Sequence, residues 1–235
     1  MRNWITFGGV SSKEYGVYIS GGGTYNAPAR DVEKITIPGR NGDLTIDNGR
    51  YENIKVEYPA FIYQGFPVNV DGLRNFLLSQ RGYKKLMDSY HPNEYRMARW
   101  DGDFVSDVEE NLTGGHFTLT FDCMPQRFYD DGDQPIEMTN GSILNRTVHP
   151  ALPLLRAYGT GSLTINGVTL TITAADQYTD IDCELQECYK DTLATNKNAY
   201  VTLTSGKFPQ LDPGINAVSV SGISRLIIYP RWWHL

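Results

Sequence analysis

Apolar and polar residues alternate along most of this chain, which is the pattern of β-strands with one buried face. In the first half the alternation predicts short strands at residues 4–7, 16–20, 51–63, 84–87, 95–100, 102–108 and 116–123. Pro59 interrupts one of these runs, which indicates a bulge or a sheet edge at that point. After Pro150 short strands follow one another closely, and Asn166-Gly167 is a typical hairpin dipeptide. The pattern predicts a mainly β fold.

A helical spacing interrupts the alternation once. Leu73 and Leu77 recur at the period of a helix, after a possible N-cap at Asp71 and before Gly82, a typical C-terminal residue. The other side of this segment is polar. We therefore expect a helix over 71–80 that lies across a sheet with one face in water.

A second distinct segment, residues 30–53, reads as two strands joined by a charged glycine turn, with another turn at Asn48-Gly49. It holds no recognisable catalytic chemistry, and a lone hairpin is only marginally stable in water. We therefore interpret it as an arm that pairs with a neighbouring chain. Its candidate interface residues are Ile35, Ile37, Arg40, Asn41, Asp43, Leu44 and Ile46.

Length and composition suggest two β-rich domains. The 235 residues suffice for one large or two modest domains, and 23 glycines with 12 prolines favour many short strands joined by turns. Residues 126–149 are polar and lack periodicity, which predicts a linker between a first domain at 1–125 and a second at 150–235. The first is expected to be α+β, with the helix and the arm. The number and spacing of strands in the second predict a β-sandwich.

Charge and cysteine usage narrow the function classes. The net charge is −6 and no basic face stands out, so nucleic-acid binding is not indicated. The first residues lack an apolar signal core and no apolar run is long enough to span a bilayer, so we expect folding in the cytoplasm. Cys123, Cys183 and Cys188 lack the partners of a zinc site and are expected to be buried, reduced thiols.

Candidate catalytic groups are weak. Neighbouring carboxylates occur in four pairs, but most stand at predicted turns, where charged residues are usually exposed. Only Asp180 and Asp182 could share a strand face, and carboxylates so close are usually solvated or paired with cations. We therefore expect no enzyme activity, no metal and no cofactor. The four pairs are Asp101 with Asp103, Glu109 with Glu110, Asp130 with Asp131, and Asp180 with Asp182.

The chain end offers an aromatic alternative. Trp232 and Trp233 follow Arg231, and exposed tryptophans can stack on sugars, so a carbohydrate-binding module stays open as a second class. Adjacent residues of a strand point to opposite faces, however, so we expect one tryptophan in the core and the other as a surface or interface anchor.

Four segments together resemble the distal tail protein family of phages with long, non-contractile tails. They lie in both halves of the chain, in order, and the arm combined with the C-terminal segments is more specific than any one alone. The segments are FGGVSSKEYGVYIS (7–20), RDVEKITIPGRNGDLTIDNGRYEN (30–53), GKFPQLDPGINAVSVSG (206–222) and YPRWWHL (229–235).

The resemblance implies a structural virion or prophage protein that forms a ring-shaped hub, usually a homo-hexamer, at the distal end of the tail. It implies a ring-forming N-terminal domain and a galectin-like C-terminal sandwich. The expected neighbours are the major tail (tail tube) protein, the tape measure protein, a tail-associated lysin or tail-tip protein, and receptor-binding or baseplate proteins. DNA would only pass through the central channel, and assembly would take place in the bacterial cytoplasm.

Overall fold

The computed structural model describes residues 2–23, 25–102, 106–108 and 114–235. These residues divide into two compact units: the second covers Phe128–His234, and the first covers the described residues up to Arg127 together with Leu235. Both units consist mainly of β-strands, which confirms the predicted fold class. The predicted strand at 102–108 lies partly outside the described residues, since only 106–108 form a described strand there.

Among its described residues, the first unit carries one α-helix, α1 (Phe66–Ser79), and one short 3-10 turn at Ser12–Tyr15. Its strands are β1 (Ile5–Phe7), β2 (Val10–Ser11), β3 (Val17–Ile19), β4 (Arg30–Ile35), β5 (Leu44–Tyr51), β6 (Ile54–Ile62), β7 (Lys84–Asp88), β8 (Glu94–Trp100), β9 (Ser106–Val108) and β10 (Gly115–Tyr129).

The second unit begins within β10. Its further strands are β11 (Ile136–Met138), β12 (Gly141–Asn145), β13 (Leu154–Tyr158), β14 (Gly161–Ile165), β15 (Val168–Ile172), β16 (Tyr178–Asp182), β17 (Glu187–Lys190), β18 (Thr192–Asn196), β19 (Val201–Leu203), β20 (Gly214–Ser221), β21 (Arg225–Tyr229) and β22 (Trp233–His234).

The first unit is built on one large sheet in the order β2-β1-β7-β8-β10-β6-β3. Along β6 buried residues alternate with exposed ones, apart from the half-buried Phe61, because one face of this strand packs into the core and the other faces solvent. The helix α1 packs against the buried face through Phe66, Val70, Leu73 and Leu77. Hydrophobic burial between helix and sheet therefore holds this unit together.

The helix begins five residues earlier than the sequence predicts. Gly65 is its N-cap, and Pro67 stands in the first turn, where its missing N–H costs nothing. Asp71, the predicted N-cap, lies inside the helix and pairs with Arg74 at 2.8 Å. The predicted start was wrong because Pro67 is a stronger signal for the first turn of a helix than Asp71 is for an N-cap.

Pro59 lies within β6, at the position where one side of this strand becomes a sheet edge. It stands opposite Thr118 of β10, and its carbonyl accepts a hydrogen bond of 2.8 Å from the Ser20 N–H. The register of β3 on the other side of β6 ends at Ala60, so no described strand pairs with that side of residues 54–59. The proline thus stands at an edge position, one of the two interpretations that the sequence indicates.

In the second unit two sheets enclose one core. The first follows the order β11-β21-β13-β16-β17-β18 and the second the order β12-β20-β14-β15-β19. Leu155 and Ile228 from the first sheet meet Leu163 and Leu170 from the second, all fully buried. Two facing antiparallel sheets around a common apolar layer form the predicted β-sandwich.

The predicted linker at 126–149 is part of this sandwich. It contains the end of β10, a 3-10 turn at Asp130–Asp133, β11 and β12. β11 pairs with β21 and β12 pairs with β20, so each is the edge strand of one sheet. Edge strands have many exposed polar residues, which is why this stretch lacks a clear apolar period.

Candidate functional site

The predicted arm is a freestanding hairpin of the first unit. Its strands β4 and β5 pair with each other in a two-stranded sheet separate from the large one. The base is anchored where the Glu52 N–H donates to the Ala29 carbonyl at 2.9 Å. Beside it, the Asn53 amide donates to the hydroxyl of Tyr83 at 2.7 Å and to the carboxylate of Asp122.

The register of the arm gathers apolar side chains on one face. Ile35 stands opposite Leu44, and Glu33 stands opposite Ile46. Since residues two apart on a strand point the same way, these four side chains share a face. The exposed fractions of Ile35, Leu44 and Ile46 are 37%, 43% and 45%. These three residues, which we term the apolar stripe, are uncovered within the described chain.

The remaining predicted arm residues lie at the connecting turn. Ile37 is half-buried, and its carbonyl accepts a hydrogen bond of 3.2 Å from the Arg40 N–H. Asp43 accepts a hydrogen bond of 2.9 Å from the Thr36 hydroxyl, which closes the turn. Arg40 and Asn41 are exposed at the tip. Thus Ile37 stands outside the paired strands and does not extend the stripe.

Asn48 and Gly49 form an irregularity inside β5 rather than the second turn that the sequence predicts. The pairing shifts between Arg30, which faces Tyr51, and Val32, which faces Asp47. Gly49 adopts a φ of +73°, a left-handed conformation that glycine accepts without strain. The dipeptide therefore marks a β-bulge, a feature that shares its preference for glycine with hairpin turns.

Polar contacts fix the arm around this bulge. Arg30 contacts Asp47 at 2.8 Å, and Arg50 contacts Asp31 at 2.6 Å. The hydrogen bond from the Gly49 N–H, followed by that from Arg30, lowers the pKa of Asp47. Hydrogen bonds from the Asn48 amide and from Arg50 lower the pKa of Asp31. Both carboxylates are thus held ionised at the base of the arm.

The C-terminal residues 230–234, which we term the strap, are tied into the second unit. Arg231 adopts a φ of +57°, and its guanidinium donates two hydrogen bonds of 2.8 Å to the two oxygens of Asp182. Burial alone would raise the pKa of Asp182. The hydrogen bonds and charge of Arg231, with the N–H groups of Leu185 and Glu184, outweigh burial and lower it. Arg231 is therefore an internal anchor.

The two tryptophans of the strap are both partly exposed and both pack against the sandwich core, so the expected division into one core and one surface residue was wrong. The indole N–H of Trp233 donates to the Pro150 carbonyl at 2.9 Å, and its ring stacks on His149 at 4.3 Å. Trp232 lines an open groove of about 480 Å³ with Tyr129. One face of Trp233 is thus already occupied.

Asp180 and Asp182 are both buried, and an arginine neutralises each one. Arg156 donates to both oxygens of Asp180 at 2.7 and 2.9 Å. This agrees with the interpretation of the pair as ion-paired rather than catalytic. Asp130 and Asp131 lie in the 3-10 turn, Asp101 contacts Arg99 at 3.2 Å, and Asp103, Glu109 and Glu110 lie outside the described residues.

The three cysteines are buried thiols, as the sequence predicts. Burial raises the pKa of Cys123 and of Cys188 to about 12 and also raises that of Cys183, so all three stay protonated near neutral pH. Over the part of the chain that the structure describes, no cluster of three potential metal ligands occurs and no helix is long and apolar enough to cross a membrane.

Comparison with known proteins gives no match to a family model and no match among curated sequences. A solved structure does match: the crystal structure of the SPP1 Dit (gp 19.1) protein, described as a paradigm of the hub adsorption apparatus in phages that infect Gram-positive bacteria. The TM-score is 0.75 at 14% sequence identity, and the match covers 100% of both chains. At this identity the likeness establishes the fold, and on that level it confirms the resemblance that the sequence motifs indicate.

Proposed function

We propose that this chain is a structural component of a phage tail and that its copies form a ring-shaped hub at the distal end. In this role it joins the tail tube to the tail-tip or host-adsorption apparatus and performs no catalysis. The full-length fold similarity to a hub protein supports this assignment.

The observation that carries the proposal is the arm. A two-stranded hairpin is rarely stable alone in water, and this one leaves Ile35, Leu44 and Ile46 uncovered. An exposed apolar surface on a projecting element is typical of an interaction site. Arm docking onto a different surface of the next copy is a heterologous contact, and such contacts close into a ring when the rotation permits.

The proposed position at the distal end of the tail also implies which proteins the hub contacts. A hub between tube and tip contacts the tail tube and tape measure proteins on one side. On the other side it contacts a tail-associated lysin, tail-tip, receptor-binding or baseplate protein. The protein is then part of the virion, and the ring is a homo-hexamer with a channel through which DNA passes.

Substitution on the two faces of β5 tests the proposal. Leu44→Glu with Ile46→Glu places charge on the apolar stripe, so we expect a folded monomer where the wild-type chain forms rings. Thr45→Glu is the matched control, since Thr45 is also exposed but faces the other side of the same strand. Light scattering gives the mass, and negative-stain images show the ring. Intact rings in the doubly substituted protein would contradict the role of the arm.

A further inference from the structure

The outer face of the large sheet carries an aromatic cluster that none of the predicted sites includes. Phe61 on β6 stands opposite Tyr18 on β3 and opposite His116 on β10, so three neighbouring strands contribute one row. Ring centroids in this row lie 6.1 Å apart for Tyr18–Phe61 and 6.3 Å for Phe61–His116. Tyr63, just beyond β6, extends it with a centroid distance of 5.0 Å to Phe61.

A cation, the guanidinium of Arg2, lies over two rings of this cluster. We term the five residues Arg2, Tyr18, Phe61, Tyr63 and His116 the aromatic patch. The Arg2 guanidinium lies 4.2 Å from the centroid of the Tyr63 ring and 5.2 Å from that of Tyr18. Arg2 and His116 are exposed, Tyr63 has an exposed fraction of 53%, and Tyr18 and Phe61 are half-buried. Tyrosine, phenylalanine and arginine are all enriched at protein interfaces, and tyrosine and arginine also at their energetic hot spots.

We propose that the aromatic patch of one copy receives the arm of a second copy, with the apolar stripe lying across the row. This inference rests on the proposed ring, since it names the surface that the arm meets there. The arm and the patch lie on the same chain, so each copy places its arm on one neighbour and binds the arm of the other neighbour on its patch. A head-to-tail contact of this kind leaves no arm uncovered once the ring closes.

Size and charge match between the two surfaces. Leu44 and Ile46 are two residues apart on β5, hence roughly 7 Å apart along the strand, which is close to the spacing of rings in the row. The stripe face also carries the Glu33 carboxylate, opposite Ile46, and the patch carries the Arg2 guanidinium. Apolar residues thus meet aromatic rings, while one anion and one cation can pair at the margin.

The remainder of the same sheet face is a poor alternative. Towards the other end of β6, Lys55 and Glu57 already pair with each other at 2.8 Å. Next to them, Arg99 contacts Asp122 at 3.2 Å. An apolar stripe placed there would have to displace water from charged groups with no hydrophobic gain.

Cysteine cross-linking between copies tests the contact directly. Two variants, Ile46→Cys and Tyr63→Cys, are mixed, assembled and treated with a short bismaleimide; the three native cysteines are buried and do not react. We expect a cross-linked dimer that contains one chain of each kind. Val68→Cys is the control partner for Ile46→Cys, since Val68 on α1 is 78% exposed but lies outside the patch, and it should give no dimer.

Association strength gives a second readout. Tyr63→Asp is expected to weaken assembly at least about tenfold, as the loss of an interface hot spot does. Tyr25→Asp, at a tyrosine that is 80% exposed elsewhere, should leave assembly unchanged.

The outcomes separate the two proposals. Rings without a Tyr63→Cys cross-link, or with an equal yield for Val68→Cys, overturn the docking surface and leave the ring standing. A wild-type chain that stays monomeric by light scattering overturns the ring and the docking surface together.

Discussion

The arm and the strap both contain arginine–aspartate pairs, but in opposite surroundings. In the arm, Arg30 and Asp47 are each 47% exposed, and water screens their attraction. In the strap, Asp182 is 3% exposed and Arg231 20%. The distances, all 2.8 Å, are the same, so geometry alone does not distinguish the two pairs.

The two ion pairs differ in how much stability is lost when one residue of the pair is removed. An exposed ion pair contributes little, because each charge is well hydrated without the other. A buried carboxylate that loses its cation keeps the full cost of desolvation. Loss of Arg231 from the strap should therefore destabilise the second unit, whereas loss of an ion pair of the arm should change the stability of the fold little.

The largest effect is expected from Arg231→Ala. It leaves the Asp182 carboxylate buried without a cation, with the N–H groups of Glu184 and Leu185 and the hydroxyl of Tyr189 at 3.5 Å as donors. Removal of one partner of a buried pair usually costs about 3 kcal/mol or more in free energy of unfolding. Urea denaturation of the full chain measures it. Arg30→Ala in the arm is the control, and an equal loss of stability in both variants would refute the distinction.

The pH dependence of the same variant sharpens this comparison. In the wild type the pKa of Asp182 is below its ordinary value of 3.8, so the pair stabilises the fold above that pH and less as the pH falls through the folded-state pKa. Without Arg231, we expect burial to outweigh the remaining hydrogen bonds and to raise the pKa of Asp182, so that protonation of Asp182 removes part of the destabilisation of the variant. The difference in unfolding free energy between wild type and Arg231→Ala should therefore begin to narrow while the pH is still above 3.8, and it should keep narrowing until the pH has fallen through the wild-type pKa of Asp182.

A smaller effect is expected from Gly132→Ala, which pushes on the backbone of the strap. A methyl group on Gly132 would meet the Trp232 backbone nitrogen at 2.5 Å, and the Gly132 carbonyl accepts a hydrogen bond from the Arg231 N–H. Overpacking of this kind costs about 2 kcal/mol. Gly22→Ala, with nothing within 4 Å, should leave the urea midpoint unchanged. An unchanged urea midpoint in Gly132→Ala would mean that the backbone of the strap can move away from the added methyl group at little cost in stability.

Much of this molecule could be predicted from local pattern. Alternation with a period of two reports burial of one strand face, so the strands and the mainly β fold followed from the sequence. The arm followed in the same way, because its two strands are close in the chain and share one turn. Its stripe of Ile35, Leu44 and Ile46 depends only on that register.

The parts that the sequence did not predict depend on distant partners. Arg231 and Asp182 are 49 residues apart, so nothing near either residue indicates a buried pair. The aromatic patch joins residues of three strands, and Phe61 meets Tyr18 and His116 only through sheet order. The polar stretch at 126–149 was wrongly predicted to be a linker. Its strands lie at sheet edges and pair with one neighbour each, so their sequence keeps many polar residues and looks like that of a loop.

The smallest effect is expected in the arm itself, from Gly49→Ala. With its φ of +73° at the bulge, Gly49 is in a conformation that costs a side chain with a Cβ about 1 kcal/mol. Since the arm is not part of the core, we expect an unchanged urea midpoint but roughly fivefold faster amide hydrogen exchange in β4 and β5 of the unassembled chain. Gly49→Asn should restore slow exchange, because asparagine tolerates this conformation. A lower urea midpoint in Gly49→Ala would show that the arm and the core unfold together, which would remove the contrast with the strap.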